Sequence, residues 1–171
     1  MTRFGYTLMT EQSGPRALVD HARDAEDVGF DFEPREDLLQ TWNDTDGAPA
    51  IGGDGPGRAI GQIPICWGPD ESAAIDLAHD QFRWFAGGWK VNADLPTPAG
   101  FAGATQFVRP EDVAASIPCG PDLDRIASAV LDFADAGFTD VALVQIGGGS
   151  QQRFLEEAAG PLLEKLRSRA A

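Results

Sequence analysis

The chain has 171 residues, of which 27 are acidic and 13 basic, so its net charge is −14. This length allows one domain with a sizeable core, and a hydrophobic content of 43% is ordinary for a folded protein. The acidic balance argues against nucleic acid and membrane surfaces as partners, because both are bound by basic patches. No apolar run approaches the ~20 residues of a membrane span.

The two cysteines, Cys66 and Cys119, are far apart in the sequence and fit no metal-ligand spacing. Unpatterned cysteines without a signal peptide favour a reducing, cytoplasmic location. The sequence therefore predicts no metal site.

The first third of the chain predicts one βα unit followed by the start of another strand. Residues 3–8 are expected to form a strand, and a helix follows with Pro15 near its first position. Gly29 ends that helix, and residues 30–32 begin the next strand.

The rest of the chain alternates strands and helices, with a loop rich in glycine, aspartate and proline at residues 43–57. Pro96 and Pro98 break the pattern between residues 89 and 118, and Pro161 kinks or splits the last helix. The predicted elements are a short helix from Pro34, a strand over 60–67, a long helix opened by residues 69–71, a short helix from Pro110, a helix from Gly120 and Pro121 to Gly137, a strand over 141–146, and a helix capped by Ser150.

Strands that alternate with helices predict a parallel sheet of three or four strands with helices outside, either open or closed into a barrel. Residues 141–146 are almost continuously apolar, as expected of a parallel strand covered on both faces. We expect this strand to be the most buried.

Three stretches resemble a known family. The first runs from Phe4-Gly-Tyr-Thr-Leu8 through Gly29-Phe-Asp-Phe32 and is similar to the opening strand and helix of luciferase-like, coenzyme F420-dependent oxidoreductases. The other two resemble the C-terminal part of that family, near its glucose-6-phosphate dehydrogenase-like branch. They comprise residues 33–37, 62–67 and 83–91, and then residues 107–113, 117–122 and 136–145.

The resemblance implies an α/β protein that is a partial (β/α)₈ TIM barrel. Residues 1–32 correspond to the first βα unit and residues 33–171 to the C-terminal part of the barrel, with a seam near residues 31–33. A complete barrel takes about 250 residues, so the centre is missing here. The catalytic histidine of the family and its acidic partner fall in the missing part, and no catalytic residue is carried over.

The family uses a deazaflavin, coenzyme F420, to exchange hydride with a small organic substrate, and FMN is the second choice of cofactor. Residues at the carboxyl ends of barrel strands line the mouth. The candidate cofactor-binding residues are Tyr6, Leu8, Trp67 and Gln145, of which Trp67 could stack on the tricyclic ring. The alternative is that Tyr6 and Trp67 fill core space.

Other polar features have two readings. Lys90 and Arg109 suit an anionic ligand but also suit a charged surface, and residues 147–149 suit an anion or a tight turn. The glycines of residues 52–57 are followed by a strand, which argues for a loop rather than a phosphate site.

His21 and His79 are expected to be structural or surface residues. Leu95 and Ala115 or Ser116 stand where the related branch has basic residues, which argues against glucose 6-phosphate.

Two functions remain open at the level of sequence. One is an F420-dependent oxidoreductase acting on a small molecule. The other is a non-catalytic barrel remnant that associates with itself, as a homo-oligomer, or with a partner through exposed strand edges.

Overall fold

The computed structural model describes residues 2–10, 12–32, 59–88, 94–95 and 97–170. Within them, the first half holds strand β1 (Arg3–Tyr6), helix α1 (Pro15–Val28), strand β2 (Ile60–Ile65), helix α2 (Glu71–Phe82) and a 3₁₀ helix (Arg83–Gly87). The second half holds α3 (Pro98–Ala104), α4 (Pro110–Ser116), α5 (Leu123–Asp135), strand β3 (Asp140–Gln145), a 3₁₀ turn (Gly148–Ser150), α6 (Gln151–Phe154), a π-helical turn (Leu155–Ala159) and α7 (Gly160–Arg169).

The three strands form a parallel sheet in the order β1-β3-β2. Every residue of β3 is buried, as expected for the central strand of such a sheet. Beyond β1, Phe32 pairs with Gly5 in a single parallel bridge, which is the strand start expected at residues 30–32. The coarse prediction of an α/β fold with a parallel sheet is therefore confirmed.

One face of the sheet, called here the first face, carries the main core. Phe4 and Tyr6 of β1, Ile63 of β2, and Val141 and Leu143 of β3 point to this face by the two-residue alternation of a strand. They pack with apolar residues of α1, α5 and the helical segment after β3. The helical members of this core are Ala25, Ile126, Ala127, Val130, Phe154, Leu155, Ala158, Ala159, Leu162, Leu163 and Leu166.

A second, smaller core lies past the carboxyl ends of β2 and β3. It joins Cys66 and Ile146, which follow these strands, to Ala74 and Ala78 of α2 and Val113 of α4. Ile117 and Cys119, from the connection between α4 and α5, complete it. The α2–α4 region is thereby attached to the carboxyl edge of the sheet.

The helix ends follow the expected signals at several places. Pro15 is the first residue of α1, and Gly29 closes it with a φ of 103°, donating to the carbonyls of Ala25 and Glu26. Asp70 caps α2 by accepting a hydrogen bond from the amide of Ala73. Gly137 follows α5 with a φ of 97°, where a residue with a Cβ would be strained.

Four details differ from the sequence-based expectation. The strands end two residues early, at Tyr6 and Ile65. Pro98 starts α3 rather than breaking the pattern, because Thr97 accepts a hydrogen bond from Gly100 and proline needs no amide at the first position. Ser150 stands at the cap position of α6 but makes no capping hydrogen bond.

The fourth concerns Pro161, which lies just inside α7. The helix is not broken there, but a π-helical turn over Leu155–Ala159 precedes it. A wider turn relieves the clash between a proline ring and the carbonyl four residues earlier.

Several expectations lie outside the described residues. These are the helix from Pro34, the loop over residues 43–57 with its glycines at 52–57, residue 33 of the seam near residues 31–33, and Lys90. Among the helices that are described, none is long and apolar enough to cross a membrane.

Candidate functional site at the carboxyl edge of the sheet

The three parallel strands end side by side, so the residues that follow them meet at one edge of the sheet. This edge is where ligands bind in parallel α/β folds. It is formed by Thr7 and Leu8 after β1, Cys66 and Trp67 after β2, and Ile146 and Gly147 after β3.

Gln145, the last residue of β3, joins β3 to the chain that follows β2. Its Oε1 accepts from the backbone amide of Trp67 at 3.0 Å, and its Nε2 donates to the carbonyl of Trp67 at 3.0 Å. The same Nε2 lies 3.1 Å from both the Ile146 carbonyl and Ser150 Oγ. The side-chain amide thus replaces a strand-to-strand pairing beyond the end of the ladder, and it has no exposed surface.

Gln151 joins β1 to the turn after β3. Its Oε1 accepts a hydrogen bond from the Tyr6 hydroxyl, and its Nε2 donates to the carbonyls of Gln145 and Gly147. Burial raises the pKa of Tyr6 well above its ordinary value, so its hydroxyl stays protonated and acts as a donor. Sequence reasoning missed Gln151, although a glutamine between Ser150 and an apolar helix face is a weak signal for it.

Trp67 and Leu8 also point toward the helices. The Trp67 ring lies 6.2 Å from the ring of Phe154, and Arg153 stands 6.0 Å over it. Trp67 is only 9% exposed, and Leu8 packs against the first-face core. Tyr6 stacks on Phe154 with the ring centroids 5.9 Å apart.

The structure therefore places all four predicted cofactor residues, Tyr6, Leu8, Trp67 and Gln145, on the helix-packed side of this edge. Tyr6 and Trp67 both pack in the main core, as the alternative interpretation of these two residues expects. Cofactor binding by these four side chains stays a prediction.

The opposite face of the sheet, called here the second face, has a different chemistry. Gly5, Ala142 and Gln62 stand at one level across β1, β3 and β2. Because glycine and alanine are small, Gln62 Nε2 reaches across to donate to Thr7 Oγ1 at 3.0 Å. Both polar side chains are only half-buried. If the sheet is part of a barrel, this is the face that lines the interior.

Two basic residues, Arg109 and Arg125, form ion pairs with carboxylates. Arg109 forms ion pairs with Asp112 at 2.9 Å and Glu111 at 3.2 Å, and it lowers the pKa of Asp112 to about 2. Arg125 pairs with Glu71 at 3.0 Å and donates to the Ala114 carbonyl at 2.7 Å. The contacts of Arg109 fit the reading as a surface charge.

The histidines have structural surroundings. His79 Nε2 donates to the carbonyl of Val108 at 2.8 Å, which ties α2 to the chain before α4. His21 is buried on α1, and its Nδ1 has no hydrogen-bond partner among the described residues.

The glycines after β3 form a tight turn. Gly147 has a φ of 97°, and an added Cβ there would lie 2.8 Å from Leu77 and 2.9 Å from Ser150. Ser150 Oγ donates back to the carbonyls of Ile146 and Gly147. These contacts explain the glycine without an anion.

A cavity of about 150 Å³ lies away from this edge. It is lined by Ala25, Glu26, Phe30, Asp31 and Phe32, beside the amino-terminal half of β1. Ligand pockets for drug-sized molecules measure about 300–1,000 Å³, so this one is too small for a flavin-like ring.

Within the described ranges, no group of three or more histidine, cysteine or acidic side chains is arranged to hold a metal ion. No protein-family profile and no curated protein matches this chain.

Proposed function

We propose that the chain is a partial (β/α)₈ barrel related to the luciferase-like, F420-dependent oxidoreductases. The observation that supports this most is the order of the strands. β1 is the first strand of the chain and lies directly beside β3, the last described one, with β2 beyond it and Phe32 on the other side of β1. In a closed barrel the first and last strands are neighbours, so this order fits the strands on both sides of that closure.

The activity proposed with this ancestry is hydride exchange between a deazaflavin and a small organic substrate. The coenzyme would supply the redox chemistry, and the protein would position it. Thr7 and Gln62 are suited to hydrogen-bond the edge of a ring, because they are neutral, half-buried and joined to each other on the second face, where Thr7 directly follows the end of β1. The phosphate of the coenzyme fits less well, since it would have to compete with the carboxylates that hold Arg109 and Arg125.

A fluorescence titration of the purified chain with coenzyme F420, with FMN as the comparison ligand, tests the proposal. We expect saturable binding with a dissociation constant in the micromolar range. Gln62→Leu should weaken that binding about tenfold, which corresponds to the loss of about 1.4 kcal/mol. Gln152→Leu is the matched control, because Gln152 is exposed and its side chain donates to Glu156 on the same helical segment.

Two results would contradict this function. One is a chain that is folded by circular dichroism but binds neither coenzyme. The other is binding that is unchanged in Gln62→Leu, which would place the ring away from the second face.

The second candidate function is a non-catalytic remnant that self-associates. It is favoured by the inward contacts of Tyr6, Trp67 and Gln145, which leave these side chains engaged in packing and backbone hydrogen bonds. The two candidate functions are distinguished by measuring the oligomeric state by sedimentation equilibrium and coenzyme binding by the fluorescence titration. A stable dimer without coenzyme binding supports the remnant, and a monomer that binds coenzyme excludes it.

A further inference from the structure

The two cysteines, separated by much of the sequence, are paired in the structure. Cys66 and Cys119 form a parallel β-bridge just beyond the end of β2. The Cys66 amide donates to the Pro118 carbonyl at 3.0 Å, and the Gly120 amide donates to the Cys66 carbonyl at 3.0 Å. Backbone partners in a sheet are about 4.7–4.9 Å apart, which lies within the Cα separation that a disulfide spans.

Their side chains also belong to one core. Paired residues of parallel strands point to the same face, and each thiol is the main influence on the pKa of the other. Cys119 Sγ donates a hydrogen bond to the Ile117 carbonyl at 3.3 Å. Both thiols are free and buried in the small core with Ala74, Ala78 and Ile146. Sequence spacing gave no sign of this pair, because 52 residues separate the cysteines, and only the bridge brings them together.

We infer that Cys66 and Cys119 form a redox-active dithiol that a peroxide converts into an intramolecular disulfide. Neither cysteine is needed for the proposed hydride exchange, so this inference is independent of the proposed function.

Cys119 is the better first nucleophile. The neighbouring Cys66 thiol, and then the positive charge of Arg125, lower the pKa of the Cys119 thiol. The neighbouring Cys119 thiol, and then burial, raise the pKa of the Cys66 thiol. Thiolates are the attacking species, which assigns Cys119 the first step and Cys66 the second.

The chemistry balances with hydrogen peroxide as the oxidant. The Cys119 thiolate attacks one peroxide oxygen, the O–O bond breaks, and Cys119 becomes a sulfenic acid. The hydroxide that leaves takes up the proton that Cys119 released on ionising, which gives the first water. The Cys66 sulfur then attacks the Cys119 sulfur, the S–O bond breaks, and the released hydroxide takes the Cys66 proton. Two thiols and one peroxide thus give one disulfide and two waters.

The disulfide would add a covalent tether to an attachment that is otherwise non-covalent. The chain between the cysteines contains α2, α3 and α4, which lie past the carboxyl edge of the sheet. Closing this loop restricts the unfolded chain, so the oxidised form should be more stable.

The test treats the reduced, purified chain with hydrogen peroxide and measures intact mass, free thiols under denaturing conditions and linked peptides. We expect a monomer that loses two hydrogen atoms and both free thiols, and a peptide in which Cys66 is joined to Cys119. The urea midpoint of the oxidised chain should rise by roughly 1–2 M. Cys66→Ser and Cys119→Ser are matched controls that should gain oxygen or form disulfide-linked dimers instead.

The inference is overturned by a folded wild-type chain that keeps both thiols at a peroxide concentration that oxidises the same chain unfolded in urea. It is equally overturned when the wild-type chain gives only linked dimers or over-oxidised cysteines. Both outcomes are read from the wild-type protein, so the result does not depend on how well the variants fold.

Discussion

Replacing Gln145 with leucine should cost far more stability than its position at the end of a strand suggests. Leucine keeps the approximate volume but removes both hydrogen bonds to the Trp67 backbone, whose amide and carbonyl lie 3.0 Å from the glutamine side chain. Ser150 Oγ and the Ile146 carbonyl still form a hydrogen bond with each other. Of the four groups that contact the Gln145 side chain, the amide and the carbonyl of Trp67 therefore lose their partner. Each buried polar group without a partner costs about 1–3 kcal/mol.

Leucine recovers part of this cost, about 1 kcal/mol, because its side chain is apolar. We therefore expect Gln145→Leu to lower the free energy of unfolding by about 3 kcal/mol. Urea denaturation followed by circular dichroism measures it, as a midpoint lower by roughly 1–2 M with an unchanged slope. Gln152→Leu, on the exposed side of α6, should change the free energy by less than about 0.5 kcal/mol. A Gln145→Leu chain as stable as that control would refute the role of the glutamine as a substitute for strand pairing.

Three further substitutions test other contacts. Gly61→Ala should lower the free energy of unfolding by about 1–3 kcal/mol in urea denaturation, because the added Cβ would lie 2.6 Å from a phenylalanine ring of α5. Gly103→Ala is the control. Its added Cβ meets no atom within 4 Å, so the substitution should be neutral or stabilising in the same assay. Tyr6→Phe leaves the buried Oε1 of Gln151 without its donor and should lower the free energy of unfolding by about 1–2 kcal/mol. Thermal denaturation measures this as a lower melting temperature, and an unchanged melting temperature would contradict the hydrogen bond between Tyr6 and Gln151. Asp112 has a pKa of about 2 in the folded chain, below its ordinary value of 3.8, so its contribution to stability is present above pH 4 and is lost as the pH falls toward 2. An NMR titration should give that midpoint in the wild type and a higher one in Arg109→Gln, which loses the guanidinium but keeps the backbone amide of residue 109 as a donor to Asp112.

The sequence was most informative where one physical signal dominates. A short, continuous apolar run between helical patterns is typical of a strand covered on both faces, and β3 is that strand. Glycine and proline marked the limits of α1, because glycine favours a left-handed stop and proline favours a first turn whose amide needs no partner. The short α3 was missed since its proline was read as a break, although Thr97 supplies the cap that turns proline into a start.

The side chains of the candidate site were harder to predict for a geometrical reason. Successive residues of a strand point to opposite faces, so a shift of one position moves a strand-end residue from the second face of the sheet to the helical layer on the first face. Tyr6 and Gln145 fall on the helical side, while Thr7, one residue further, reaches Gln62. Periodicity could not assign these faces, because the central strand is apolar on both. The contact between Cys66 and Cys119 depends on a long-range bridge that no local pattern encodes.

The pairing of β1 with β3 also has a consequence for how the chain acquires its structure during synthesis. Arg3 and Asp140 are partners across 137 positions of sequence. At translation rates of about 5–20 residues per second, β1 leaves the ribosome roughly 7–30 s before its neighbour in the sheet exists. During that interval Phe4 and Tyr6, which are fully buried in the finished protein, have no β3 to pack beside. β1 is therefore synthesised long before its pairing can be completed, and this interval leaves a chaperone time to bind it.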